Sequence, residues 1–424
     1  MMKKELFRDV AVDQVQVGMY VHLTVPWLDH PFATNSFKIK DEKQLLALRS
    51  LGLGAIQYDP ARSEVKAAGT AATETDSSAP SSPQAALREV KRQRLERLSR
   101  QREAMARCEK TFLRAAEVVR GINKGLFSAP AESVGAAVSL VTQMLDSLMT
   151  DQDVALTLVG SNPATQDAQV HSLNVAALGM MLARALGASK DEVGYVGLGA
   201  IFHDIGKLRV PDKILRKTEP LTRAEKKFLE QHVTYGVEMA RKLRLPEPVS
   251  EIIARHHEYV DGQGYPDGLT GPDLGPLSQC VCIANTYDNH CNPLNPTTSL
   301  TPYQALSVMF ARQRGHFDIA ALSTFIHTMG VYPPGTVVGL SNELAALVIA
   351  VNPAKTLKPT VLVYDPAVPK EDAIILDLAL EPEIVITKSL RPSELSAEAA
   401  AYLNPRRRMN YQFDVPGQGE SGNG

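Results

Sequence analysis

Cysteine is scarce in this chain: four residues in 424, Cys108, Cys280, Cys282 and Cys291. They form neither a paired CxxC zinc pattern nor the dense framework of a secreted disulfide scaffold. Charge of one sign is lacking too. With 45 Lys+Arg against 47 Asp+Glu the formal net charge is −2, so no bulk basic surface asks for a nucleic acid polymer. No uninterrupted apolar run reaches membrane-spanning length; "LNVAALGMMLARALGA" contains Arg184 and reads as a buried helix. The opening "MMKKELFRDVAVDQ" has no long apolar h-region, so no signal peptide and no membrane span are expected, and a cytoplasmic protein is. Apolar residues are not scarce: 44% of the chain is hydrophobic, enough for a sizeable core in two or three domains.

The first 61 residues read as a small α/β domain. "MYVHLTVP", "SFKIK" and "AIQYD" have strand patterns, and "DEKQLLALRSLG" is a helix with Asp41 as N-cap, Gln44 completing a capping box and Gly52 ending it. Residues 62–86 are small, polar and rich in Pro and Ser, which predicts a flexible linker. A charged connecting helix is expected over 87–130, with nine basic and four acidic residues between Arg88 and Lys110. Leu98, Met105, Phe112 and Val119 recur every seven positions, while the companions Leu95, Arg102, Glu109 and Ala116 are only half apolar. That pattern fits a homodimer through the 87–120 helix and equally a solvated helix packing one stripe on its own domain.

From about 130 to 330 the apolar spacing is helical throughout, in segments such as "AESVGAAVSLVTQMLDSLM", "DEVGYVGLGAIFHDIGK" and "LSQCVCIANTYDNHC". After Val331 come β-branched runs, "TVVGLS", "LAALVIAV", "PTVLVYD" and "AIILDLAL", broken by Pro, Asn and Gly. The expected fold class is therefore mainly α: an all-helical bundle over about 130–330, within a domain of 131–334, flanked by the N-terminal α/β domain and a small β-rich C-terminal extension over 335–415. A disordered tail is expected over 416–424.

Five of the ten histidines, all in the central helical region, stand out: His171, His203, His232, His256 and His257. His203 and Asp204 follow an apolar run that would bury them, and a buried aspartate is costly unless paired or bound to metal. Imidazoles and carboxylates converging from separate helices are a way to hold two divalent ions, with Asp204 able to bridge them. Such a centre activates water at neutral pH and clamps a phosphodiester. The paired His256 and His257 precede "DGQGYP", where Gly262 and Gly264 permit close backbone approach and Tyr265 offers a ring face or hydroxyl.

"HDIGK" at 203–207, "QHVTYG" at 231–236, "HHEYVDGQGYP" at 256–266 and the upstream His171 together resemble the HD-GYP family, a branch of the HD phosphohydrolase superfamily, over about 150–330. The intervals of 32, 29 and 24 residues between His171, His203, His232 and His256 are those the family pattern needs. The resemblance implies an HD-type helical bundle and a bacterial phosphodiesterase that hydrolyses cyclic di-GMP on two or three Fe or Mn ions, in second-messenger signalling with protein partners. His171, His203 and Asp204 resemble the ligands of a first metal, and His232, His256 and His257 those of a second and, where present, a third. Asp167 falls where three-metal members carry a glutamate. Lys207 resembles the lysine that meets the substrate phosphate, and Gly264, Tyr265 and Pro266 form the loop against which the nucleotide lies. The N-terminal unit resembles a domain of unknown function that often precedes HD-GYP domains.

Two positions depart from the family pattern. Asn285 in "IANTYDNHC" stands where the last metal ligand, an aspartate, is normally found; an amide oxygen can ligate but brings no charge. "LTPY" keeps Pro302 and the candidate substrate-binding Tyr303 but has Thr301 in place of the arginine that can contact the ligand. Both bear on turnover rather than on fold. Three readings follow: hydrolysis of cyclic di-GMP to linear pGpG and on to GMP, with Asp204 and Lys207 as catalytic groups; a non-catalytic cyclic di-GMP receptor with a degraded metal site; and an HD hydrolase of another nucleotide, against which the GYP loop argues.

Overall fold

The structure is a computed structural model and describes residues 7–25, 30, 32, 34–64, 83–150, 156–158, 167–351, 355–366, 368, 370, 373–381, 383–403 and 411–413. The expected linker lies outside them except at its two ends, and the expected tail lies wholly outside. A four-stranded antiparallel sheet opens the chain: β1 (Arg8–Ala11), β2 (Tyr20–His22), β3 (Ser36–Lys38) and β4 (Ala55–Asp59), in the order β1-β4-β2-β3. Helix α1 (Glu42–Arg49) starts where Asp41 Oδ1 accepts the Gln44 N–H at 2.7 Å. The return bond goes one residue further upstream than a capping box would place it, Lys40 N–H donating to Gln44 Oε1 at 3.0 Å. Gly52, at φ +70°, takes the left-handed turn that ends the segment. Val12, Val15, Met19, Val21, Ile39, Leu48 and Ile56 close a separate small core beneath this sheet.

Helix α2 (Pro83–Gly125) begins earlier than the composition suggests, with Pro83 in the first turn, where its missing N–H costs nothing. Phe112, Val119, Ala115, Ala116 and Ile122 are buried in the chain's own core, against α3 (Pro130–Thr150). Two of the four heptad residues are thus used inside the chain. The side chains of Leu98 and Met105 lie outside the described residues.

The helical region continues through α4 (Asp167–Ala185), α5 (Lys190–Phe202), a 3₁₀ turn (Ile205–Arg209), α6 (Asp212–Leu215), α7 (Arg223–Glu230), α8 (His232–Lys242), α9 (Glu247–Arg255), α10 (Pro276–Cys291), α11 (Pro302–Arg312) and α12 (Ile319–Met329). Helices α4, α5, α9 and α10 pack on one another around an apolar core that includes Val175, Leu178, Leu182, Val196, Ala200, Ile252, Ile253, Val281 and Ile283. No described helix is long and apolar enough to cross a membrane.

A second antiparallel sheet follows. It contains β6 (Val337–Leu340), β7 (Ala345–Ala350), β8 (Thr360–Val363), β9 (Ile374–Asp377), β10 (Ile386–Leu390) and, after α13 (Ala397–Leu403), β11 (Tyr411–Phe413). It also takes in β5 (Leu156–Leu158), a short strand between α3 and α4 that alternation in the sequence does not reveal. β5 meets β7 at Thr157↔Ala350 and pairs along its length with β11, Leu158 opposite Tyr411. The sheet shares one continuous hydrophobic core with the helices, from Cys108 to Leu403. Its β6–β7 turn meets the N-terminal sheet through polar contacts: Tyr20 Oη donates to the Asn342 carbonyl at 3.3 Å and Arg62 pairs with Glu343 at 3.2 Å.

Candidate metal centre

The site is assembled from the ends of helices rather than from their middles. His203 caps the C-terminus of α5, whose N-terminus is set by a reciprocal Ser189/Glu192 capping box. Asp204 follows as the first residue leading into the 3₁₀ turn. Gly206 then lets that turn lie directly on α8. A Cβ there would stand 1.9 Å from the His232 carbonyl oxygen and 2.5 Å from the Gly236 nitrogen, both backbone atoms that cannot yield. His232 opens α8 and His256 caps the end of α9, with His257 next in line. His171 arrives from α4.

Three of these rings are aimed by one device. Nδ1 of His203 donates to the Ala200 carbonyl at 2.7 Å, that of His232 to Leu229 at 2.7 Å, and that of His256 to Ile253 at 2.8 Å. A carbonyl oxygen only accepts, so the proton sits on Nδ1 and the Nε2 lone pair points inward. His171 is aimed differently: its Nδ1 lies 2.6 Å from Asp288 Oδ2.

The inward nitrogens divide into two groups around the two oxygens of Asp204. Oδ2 lies 3.3 Å from His203 Nε2 and 3.8 Å from His171 Nε2. Oδ1 lies 3.4 Å from His232 Nε2 and 4.0 Å from His256 Nε2. Within each group one donor atom per residue lies within 4.8 Å of the others: His171, His203 and Asp204 in one, and Asp204, His232, His256 and His257 in the other.

Two observations fit a cation in each group. Nε2 of His171 and His203 approach to 3.3 Å, as do those of His232 and His256, and two lone pairs face to face repel unless a positive charge lies between them. Asp204 Oδ1 is buried and accepts no hydrogen bond among the described residues, a costly state for a carboxylate oxygen without a cation. Protonation supports the same picture. Burial pushes His232 down and His256 and His257 well down from the ordinary imidazole value, with neighbouring imidazoles adding to it for the latter two, so all three favour the neutral, ligating form. Burial opposes ionisation of Asp204, yet His203 and Lys207 beside it hold its carboxyl well below the usual carboxylate range. The cluster is thus compatible with divalent metal binding.

Lys207, one turn on, places Nζ 2.6 Å from Asp204 Oδ2 and is partly exposed. Tyr265 stacks on His257 with ring centroids 4.5 Å apart and planes 20° from parallel, and its N–H donates to the His257 carbonyl at 3.1 Å. Burial raises its phenol above the ordinary tyrosine value, so the hydroxyl stays protonated. Gly264 serves the loop's own fold rather than leaving room for a ligand: a Cβ there would lie 2.5 Å from Glu258 Cα and from the Tyr259 nitrogen. Pro266 is exposed after a cis peptide bond.

Asp167 opens α4, but its side chain lies outside the described residues. Asn285 is buried on α10 and its Oδ1 accepts from Asn289 Nδ2 at 2.8 Å. Thr301 acts on its own helix. Its hydroxyl accepts the Gln304 N–H at 3.3 Å and Gln304 Oε1 accepts the Thr301 N–H at 3.0 Å, capping α11. Tyr303 is exposed and stacks on Tyr332 at 6.3 Å, with no ring contact to the cluster among the described residues. Cys280, Cys282 and Cys291 are buried, and burial pushes the thiols of Cys280 and Cys282 up to about 12.

Sequence reasoning misses Glu258. It is fully buried, and its carboxylate accepts three loop N–H groups: Asp267 at 2.7 Å and Gly268 at 3.2 Å on Oε1, and Leu269 at 3.0 Å on Oε2. The available signal is a carboxylate placed directly between two histidines and a glycine-rich turn.

Two family models match the chain: a domain of unknown function (DUF3391) over residues 8–137 and an HD domain over residues 148–321. A cyclic di-GMP phosphodiesterase of Pseudomonas aeruginosa is 29% identical over 372 residues, covering 85% of each chain. A 3'3'-cGAMP-specific phosphodiesterase of Vibrio cholerae is 29% identical over 44% of this chain and 36% of its own. A cyclic di-GMP phosphodiesterase response regulator of Xanthomonas campestris is 32% identical over 32% of this chain and 37% of its own. This chain thus spans little more than a third of the last two.

Proposed function

We propose, from the premise that the chain belongs to the HD-GYP type of HD-domain proteins, that it hydrolyses a phosphodiester bond of cyclic di-GMP, giving linear pGpG and, on a second cut, GMP. The observation that carries this reading is the division of Asp204's two oxygens between two histidine groups. On it, His171, His203 and Asp204 hold one divalent ion, and Asp204, His232, His256 and His257 the other. Mixed imidazole and carboxylate donors suit Fe or Mn. A third ion would draw on Asp167. Bound there, such a pair supplies an activated water and neutralises charge on the phosphodiester.

The chain's own groups do the rest. Lys207 exchanges its ion pair with Asp204 for an oxygen of the scissile phosphate and so holds it in the cleft. The Nδ1–H···O=C bonds of His203, His232 and His256 keep their rings from turning as charge shifts nearby. Tyr265, braced on His257, offers a flat face for a base, and Glu258 keeps its loop closed against α9. Similarity to a 3'3'-cGAMP-specific relative makes that dinucleotide the first competitor substrate to compare.

A second reading, a cyclic di-GMP receptor without turnover, is favoured by Asn285, whose neutral amide is engaged by Asn289. One experiment separates the two. Protein purified without oxygen and supplied with Fe(II) or Mn(II) is given cyclic di-GMP and 3'3'-cGAMP, and products are resolved by chromatography. Linear product that disappears in Asp204→Ala supports the phosphodiesterase. Tight nucleotide binding by metal-loaded protein without product supports the receptor.

A further inference from the structure

We infer that Asp288 is a positioning residue of the metal centre, fixing His171 from behind and supplying through its ring the negative charge that Asn285 does not carry. The inference rests on the reading that the two histidine groups hold metal ions. Asp288 is fully buried on α10, and no Lys or Arg pairs with it among the described ion pairs. Its acceptor positions are filled from both packed helices. Oδ2 faces His171 Nδ1 at 2.6 Å, and Oδ1 accepts from Asn174 Nδ2 on α4 and from Asn292 Nδ2, one turn beyond α10's Asp288, each at 2.7 Å. To ligate an ion directly, Asp288 would have to give up bonds that burial makes expensive to lose.

What singles His171 out is the contrast with its neighbours. The other three aimed rings lean on neutral carbonyls; His171 alone leans on an anion. A carboxylate behind an imidazole raises the basicity of the nitrogen in front. The His171 group has the greater need, because its only carboxylate among the described residues is Asp204, shared with a second group that has one more histidine. Asn174, on the helix that carries His171, ties the carboxylate to the same rigid element, so ring and carboxylate are held as a unit.

The test compares the full chain with Asp288→Asn, which preserves shape and an acceptor oxygen but removes the charge. Both are stripped with chelator and titrated anaerobically with Mn(II), reading stoichiometry and affinity by calorimetry and ion pairing by electron paramagnetic resonance. The expected result is selective: one Mn(II) binds as before, the other roughly ten- to a hundredfold more weakly, and the signal of coupled ions fades at metal levels that saturate the unaltered protein. Should Asp288→Asn fail to fold, Asn174→Ser, which keeps the charge but loosens its aim, is expected to give the same one-sided loss at smaller size. Two ions bound with unchanged affinity, or both weakened alike, would overturn the inference alone. Fewer than two ions in the unaltered protein would overturn the two-metal reading beneath it and this inference with it.

Discussion

Lys207 Nζ rests 2.6 Å from Asp204 Oδ2, so the nearest lysine to the shared carboxylate stands on the same oxygen as His171 and His203. The pair is i, i+3 across the 3₁₀ turn, and the Lys207 side chain stays partly exposed.

Replacing Lys207 by Met keeps the aliphatic stem and removes the ammonium. Metal content is expected to stay near that of the unaltered protein, because no ligand is lost. kcat/KM for cyclic di-GMP should fall roughly a hundredfold, the scale of losing one charged donor to a reacting phosphate. Steady-state hydrolysis, with elemental analysis of the same sample, checks both halves.

Gly206→Ala tests how closely the turn must lie on α8. Its Cβ would stand 1.9 Å from the His232 carbonyl, so the turn bearing His203 and Asp204 must lift away. A cost of about 1–3 kcal/mol is expected for overpacking. It should appear as a lowered thermal midpoint, accompanied by lost metal because the two histidine groups separate.

Glu258→Gln keeps the shape of the group that holds the loop but removes its charge. Hydrogen bonds to a charged acceptor contribute about 1.5–3 kcal/mol each, and three N–H donors depend on this one. Residues 262–270 should exchange amide hydrogen faster, while the rest of the chain does not. In kinetics the change should fall mainly on KM, since the loop braces Tyr265 and contributes no metal ligand.

Acid should destabilise the metal-free protein in a definite window. His232, His256 and His257 have lowered values in the fold, so between the ordinary imidazole value near 6.5 and those lower values the unfolded chain binds more protons than the folded one. Their stabilising contribution is complete above about pH 6.5 and is lost as pH falls below it. Asp204, also lowered, keeps its contribution above the ordinary carboxylate value and loses it only further down. Thermal midpoints of chelated protein against pH should therefore decline first on the histidine limb, and His256→Gln should flatten part of that limb.

Much of this is legible in the residues. His203 and His256 each close a helix whose apolar residues are buried, and the structure brings His171, His203, Asp204, His232, His256 and His257 together. The strands over 337–340, 345–350, 360–363 and 374–377 match runs of β-branched residues. What escapes is short or tertiary. β1 and β5 are not among the strands expected from the sequence, and β5 exists because its partners are far along the chain. Glu258 and Asn174 do not stand out in the sequence because their roles lie in what they touch. Thr301 reads as a lost arginine, whereas locally it is a helix cap.

The pairing of Leu158 with Tyr411 bears on how the protein comes to exist at all. The strand just upstream of His171 emerges from the ribosome long before its mate is made. At roughly 5–20 residues per second, that is a wait on the order of ten seconds or more. Until β7 and β11 have been made, Leu156–Leu158 has none of its native strand partners.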